Sequence, residues 1–252
     1  MNWELLDWSI VGPALAAGLL ILSTHVPLGY EVLRRGIIFI DLAIAQIAGL
    51  GVIAAHGLDW EQSGFEVQIS AVSAALLAAA GLHWTEKRWP ETQEALIGIL
   101  FILAATGGIL LLANNPHGSE HLKELLVGQI LWSTWTSLVP VAAVYAVLLA
   151  VWWLGRARMG ALGFYIAFAI AVTASVQIVG IYLVFASLII PAVATSRLRR
   201  GNRLMVGYAI GAIGYLLGIT VSALLDLPTG AIIVWTMAAV ATVAGFSLSA
   251  KR

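Results

Sequence analysis

The chain is written in long apolar runs separated by short charged or turn-rich breaks, at about 9–33, 36–57, 67–84, 95–113, 132–154, 161–177, 180–196, 204–223 and 230–250. Most approach the ~20 residues a helix needs to cross hydrocarbon. A membrane barrel would instead alternate apolar and polar positions over strands of ~10 residues. The pattern therefore predicts an all-α, polytopic helical membrane protein of eight or nine segments, forming a single transmembrane domain over 1–252. The stretch 161–196 allows one long tilted helix or two short crossings broken near Gln177–Gly180. Small residues recur at spacings of three and four, as Ser70, Ala74 and Ala78 and as Gly207, Gly211, Gly214 and Gly218. Such spacing lets helix backbones approach closely in lipid.

Composition agrees: 61% of the residues are hydrophobic and 10% charged, against about 25% charged in soluble domains. With no cysteine, disulfides and thiolate metal sites are excluded. The formal net charge is zero, but the charges are sorted by position. With nine crossings, one side collects Arg34, Arg35, Lys87, Arg88, Arg156, Arg158, Arg197, Arg199, Arg200, Arg203, Lys251 and Arg252, leaving Lys123 on the other. Opposite lie Glu4, Asp7, Asp59, Glu61, Glu66, Glu120, Glu124 and Asp226. The positive-inside rule then places the N-terminus outside and the C-terminus in the cytoplasm. A single crossing at 161–196 would put one basic loop on the wrong side, so two are expected. The acidic start argues for a retained first span rather than a cleavable signal.

An ionisable side chain inside a span costs about 2.5–3.5 kcal/mol on insertion scales and marks a path or a pairing. His25 in the first run and Asp41 in the second lie about 12 Å and 8 Å from the end of a tight hairpin. Gln46 is deeper, and Glu31 is near the inner end of the first run. One reading is a cation path in which His25, Asp41 and Gln46 offer nitrogen and oxygen donors. The other is a His25–Asp41 hydrogen bond locking the hairpin, with Gln46 joining helices. An ion pair of Asp41 with Arg34 or Arg35 is a third.

On the acidic side the sequence Asn114-Asn115-Pro116-His117-Gly118-Ser119-Glu120-His121-Leu122-Lys123-Glu124 predicts a helix capped by Ser119. His117, Glu120 and His121 have the donor types that zinc or manganese accepts. A solvated, capped interfacial helix is the plainer alternative. The spacing differs from the HExxH helix of metalloproteases. Together with the absence of a GxGD or Ser–His arrangement within a span, this predicts a protein that is not an enzyme.

Five segments together resemble the permease subunit of ATP-binding-cassette importers for zinc, manganese or iron: LRRGIIFIDLAIAQIAGLGV at 33–52, EALIGILFILA at 94–104, NNPHGSEHLKELLVGQILW at 114–132, VQIVGIYLVFASLIIPAVAT at 176–195 and LDLPTGAIIV at 225–234. The resemblance implies a homodimeric permease in the bacterial cytoplasmic (inner) membrane. Its partners would be cytoplasmic ATPase subunits and an extracytoplasmic metal-binding protein, with no nucleic acid. No cofactor would be held permanently; zinc or manganese would be the substrate. His117, Glu120 and His121 would take up the ion, and His25, Asp41 and Gln46 would pass it.

Two departures stand out. Relatives carry a pattern like DALSHA in the second span, whereas here Gln46 takes the His position, Leu42 the Asp position, and Asp41 is displaced by one. This resembles a branch that shares the THVPLG stretch around His25 and the PHGxEH loop. Relatives also insert an acidic segment with a pattern like DPExAxxxG between the fifth and sixth spans, forming the coupling helix. Here that connection is only Gly155-Arg156-Ala157-Arg158-Met159-Gly160. The ATPase contact is then expected from a neighbouring subunit or another loop, such as Thr85–Glu94 or Arg197–Arg203, or coupling is weakened or lost. A same-fold protein moving another solute or working without a standard ATPase, and a non-transporting metal sensor, are the competing expectations.

Overall fold

A computed structural model describes residues 7–56, 65–155 and 159–249. Glu4, Asp59, Glu61, Arg156, Arg158, Lys251 and Arg252, and with them the centre of the 155–160 connection, lie outside the described residues. The helices are α1 (Trp8–Arg35), α2 (Ile40–His56), α3 (Phe65–Arg88), α4 (Gln93–Leu112), α5 (Gly118–Val127), α6 (Trp135–Gly155), α7 (Ala161–Ala194), α8 (Arg200–Leu225) and α9 (Thr229–Ser249). Seven are long and apolar enough to cross a membrane, and the shorter α2 is apolar too.

At 34 residues, α7 would run about 51 Å if straight, yet its neighbours on α1 show that it folds back. The Arg35 guanidinium lies 4.5 Å over the Phe164 ring. The Ser175 hydroxyl is 3.2 Å from His25 Nε2. Beyond Gly180 the contacts return down α1: Gly29 sits against the Leu188 carbonyl, and Thr195 hydrogen-bonds the Tyr30 hydroxyl. Both ends of α7 thus lie toward the Arg35 end of α1, so α7 is a hairpin of two arms. The predicted break falls at Gly180, whose φ of 76° and ψ of 164° are non-helical. Glycine adopts that backbone without the penalty a Cβ brings. At the turn, Gly180 lies against Gly128 so closely that a Cβ would fall 2.3 Å from the Gly128 nitrogen.

The second arm is only about 21 Å long, shorter than the ~30 Å hydrocarbon core. It is tolerated because it sits inside the protein: Ile181, Leu183, Val184, Ser187 and Leu188 are buried, so neighbouring helices cover its ends. Around this hairpin pack α1, α2, α3, α8 and α9. The glycines of α8 split between two neighbours: Gly207 and Gly211 face Val26 and Leu22 of α1, while Gly214 and Gly218 face Met237 and Ile233 of α9. On α3, Ser70 and Ala74 meet Gly51 of α2. The small residues thus work as packing faces.

The described Arg and Lys stand at the ends of α1 and α3 and from the turn after α7 into the start of α8, with Lys123 alone on α5.

A buried carboxylate and its candidate transport site

Asp41 lies in the first turn of α2, yet it is fully buried and neither carboxylate oxygen has a hydrogen-bond partner. Its nearest basic residues in sequence are committed elsewhere. Glu31 accepts from Arg34 and from Arg35, the latter at 3.0 Å, and Arg35 also reaches Glu86 at 3.5 Å. The expected alternative of an Asp41–arginine ion pair is therefore replaced by a Glu31-centred pair. The reason is spacing: Arg34 and Arg35 follow Glu31 by three and four residues on α1, the positions that share a helix face. The start of α2 is held instead by α4, with the Phe39 amide donating to Glu94 Oε1 at 3.1 Å.

His25 is fully buried as well, and the expected His25–Asp41 hydrogen bond is absent. Its Nδ1 lies 3.0 Å from the Ile21 carbonyl and 3.1 Å from the Thr24 hydroxyl, and Nε2 faces Ser175. With Nδ1–H donating to the carbonyl, Nε2 accepts from Ser175. Both ring nitrogens are thereby used: Nδ1 within α1, and Nε2 in joining α1 to α7. Tyr145 of α6 lies beside the imidazole, with ring centroids 6.4 Å apart, and donates to the Ala171 carbonyl at 2.9 Å. Sequence reading missed Ser175 and Tyr145. The available signal was weak, since a lone serine or tyrosine in a span acquires meaning only through its neighbour.

Gln46 is half-buried and stands five residues after Asp41, about 140° further around α2. The two do not share a face.

At the opposite end, α5 begins at Gly118 with His117 as its cap residue. The predicted Ser119 cap is displaced because the Asn115 side chain accepts from the His117 amide at 2.9 Å and holds the turn earlier. His117 Nδ1 lies 3.2 Å from Glu120 Oε2, and His121 Nδ1 lies 3.9 Å from Glu124 Oε2. The acid and imidazole groups thus form two i, i+3 pairs. Among the described residues no three His, Asp or Glu side chains converge closely enough to hold a metal ion.

The described helices form a polytopic bundle that encloses a fully buried carboxylate without a partner, the architecture of a multi-pass membrane protein. The ABC 3 transport family profile matches residues 7–164 and 155–247, and the chain belongs to that family. The seam between the two matches falls on the short connection after α6. A Chlamydia trachomatis protein described as "Probable metal transport system membrane protein" is 22% identical over 88% of this chain and 80% of its own length. A Haemophilus influenzae protein described as "Probable iron transport system membrane protein" is 23% identical over 94% of this chain and 93% of its own. The fold matches a chain of PsaBC from Streptococcus pneumoniae, solved in complex with Fab, with a TM-score of 0.74 at 20% identity. That match covers 97% of this chain and 95% of the other.

Proposed function

We propose that this chain is the permease subunit of a divalent metal-ion importer, with Asp41 as the principal oxygen donor on the path. The observation that carries the reading is the fully buried Asp41 carboxylate without a partner. Such a group in low dielectric calls for a cation or a proton. The descriptions of the Chlamydia and Haemophilus relatives, as probable metal and iron transport system membrane proteins, support a metal substrate. Zinc and manganese suit the His and carboxylate donors, and iron is the competitor to test beside them.

The ion is first met on α5 by the His117–Glu120 pair and then His121, with a binding protein outside the membrane delivering it and supplying the remaining donors. Gln46, deeper along α2 and on another face from Asp41, offers an amide oxygen at a separate stage of the path. His25 belongs to the same region, where its ring orders α1, α6 and α7 around the path. Two copies of the chain and two ATPase subunits complete the transporter. The basic end faces the cytoplasm of a bacterial inner membrane, in line with the positive-inside rule. A second reading, the same fold working without a standard ATPase, is favoured by the brief Gly155–Gly160 connection.

The deciding experiment is uptake of zinc, manganese and ferrous iron in cells lacking their own importer. Wild-type chain with its ATPase is expected to restore uptake of one of these, and Asp41→Ala to abolish it at normal membrane abundance. Undiminished uptake by the variant would remove Asp41 from the mechanism.

A further inference from the structure

The short connection after α6 leaves the place of ATPase docking open, and the basic end of the bundle answers it. From the side chains there, we propose that the α3–α4 turn, Trp84 to Glu94, is the surface on which the cytoplasmic ATPase subunit acts. This inference rests on the ATP-coupled reading above.

The turn presents the composition of a protein interface. Trp84 and Trp89 pack edge to face with centroids 5.2 Å apart, yet they remain 59% and 48% exposed. Between and beyond them Lys87, Arg88 and Glu91 are exposed. Exposed aromatics ringed by mixed charge are typical docking anchors. Trp89 follows the two cations that end α3, so it lies past the last helical turn.

The turn is also tied to the helices that must move. Inside it, Thr85 donates to Gln93 Oε1 at 2.9 Å, and Gln93 donates to the Leu82 carbonyl at 2.9 Å, so it moves as one piece. Glu86 reaches Arg35 at the end of α1. Gln93 Nε2 is 3.4 Å from the Tyr165 hydroxyl at the start of α7, and the His83 and Tyr165 rings lie 5.6 Å apart. Glu94 holds the Phe39 amide, two residues before Asp41. A push on this turn therefore reaches α1, α2 and the first arm of α7 through side-chain bonds. The other described basic turn, Ser196–Arg199, is tied to α1 through the Tyr30 hydroxyl, at Thr195 and at the Arg203 carbonyl.

The absence of native cysteine makes the test direct. Single-cysteine variants Glu91→Cys and Arg199→Cys of the full chain, co-expressed with an ATPase subunit and placed in lipid vesicles, are treated with a short bifunctional maleimide. A cross-link to the ATPase from Glu91→Cys, with ATPase association weakened at least about tenfold in Trp89→Ala, is the expected result. Thermal stability of Trp89→Ala in detergent, together with the milder Trp89→Phe, guards against misfolding. Cross-linking from Arg199→Cys alone overturns the proposal and leaves the importer reading standing. Equal burial of a fluorophore at position 91 with and without the ATPase overturns it too, since the tryptophans would then be lipid anchors. Failure of the wild-type chain to associate with any ATPase, while it still moves metal, removes ATP coupling itself.

Discussion

Asp41 and His25 were nominated together, as two ionisable residues at neighbouring depths, and the structure gives them different work. His25 spends both ring nitrogens on α1 and α7, whereas Asp41 spends neither oxygen. The expected consequences differ accordingly. Asp41→Asn, nearly isosteric, should leave thermal unfolding in detergent close to wild type while metal uptake falls to background. His25→Ala should lower stability by about 2–4 kcal/mol, through a cavity and lost hydrogen bonds, measured as an earlier denaturation midpoint. His25→Gln, which keeps a donor and an acceptor, should recover much of that loss together with uptake. A His25→Gln protein that is stable yet inactive would make the imidazole a metal donor instead. What distinguishes the two residues is invisible in a string of letters. The partners of His25 lie on α7 and α6, 150 and 120 positions away, and the arginines that might have paired with Asp41 are drawn to Glu31 by helix geometry.

Helix-forming runs and their small-residue faces were legible, because continuous apolarity and spacings of three and four are local properties. The reversal in α7 was legible only as a choice between one crossing and two. Charge sorting favoured two, and Gly180 supplies the backbone that allows it. Replacing Gly180 with Ala should cost about 1–3 kcal/mol from the positive φ with extended ψ alone, and more from the collision with Gly128, whose nitrogen would lie 2.3 Å from the new Cβ. Loss of monodisperse protein in size-exclusion chromatography is the expected readout. Wild-type behaviour would mean that the α5–α7 contact opens readily. On α5 the sequence suggested a cluster of His117, Glu120 and His121, while the helix sets them as His117–Glu120 and His121–Glu124 pairs. Helical spacing of three favours those pairings over a three-donor site on α5 alone.

At the scale of the whole molecule, the hairpin of α7 makes a labelling prediction. In sealed vesicles, single cysteines at Met159 and Ser196, at the two ends of α7, should react with an impermeant maleimide from the same side. One at Gln177, beside the turn, should react from the opposite side. Labelling of Met159 and Ser196 from opposite sides would show a single long crossing and would also reverse α8 and α9. The same preparation fixes orientation, since the basic end is expected on the cytoplasmic side.

The apolar runs, the sorting of charge between the two ends and the family resemblance were determined by the sequence alone. Each depends on runs of neighbouring residues, and the cost of placing charge in hydrocarbon is paid residue by residue. Which polar groups inside the bundle are satisfied was decided only by the tertiary structure. Satisfaction depends on donors from helices far apart in sequence, so an unpartnered Asp41 and a fully engaged His25 look alike until α6 and α7 are packed against α1. The tie between the α3–α4 turn and the start of α2 has the same origin. Glu94 and Phe39 stand 55 residues apart, and only folding brings that carboxylate to the amide.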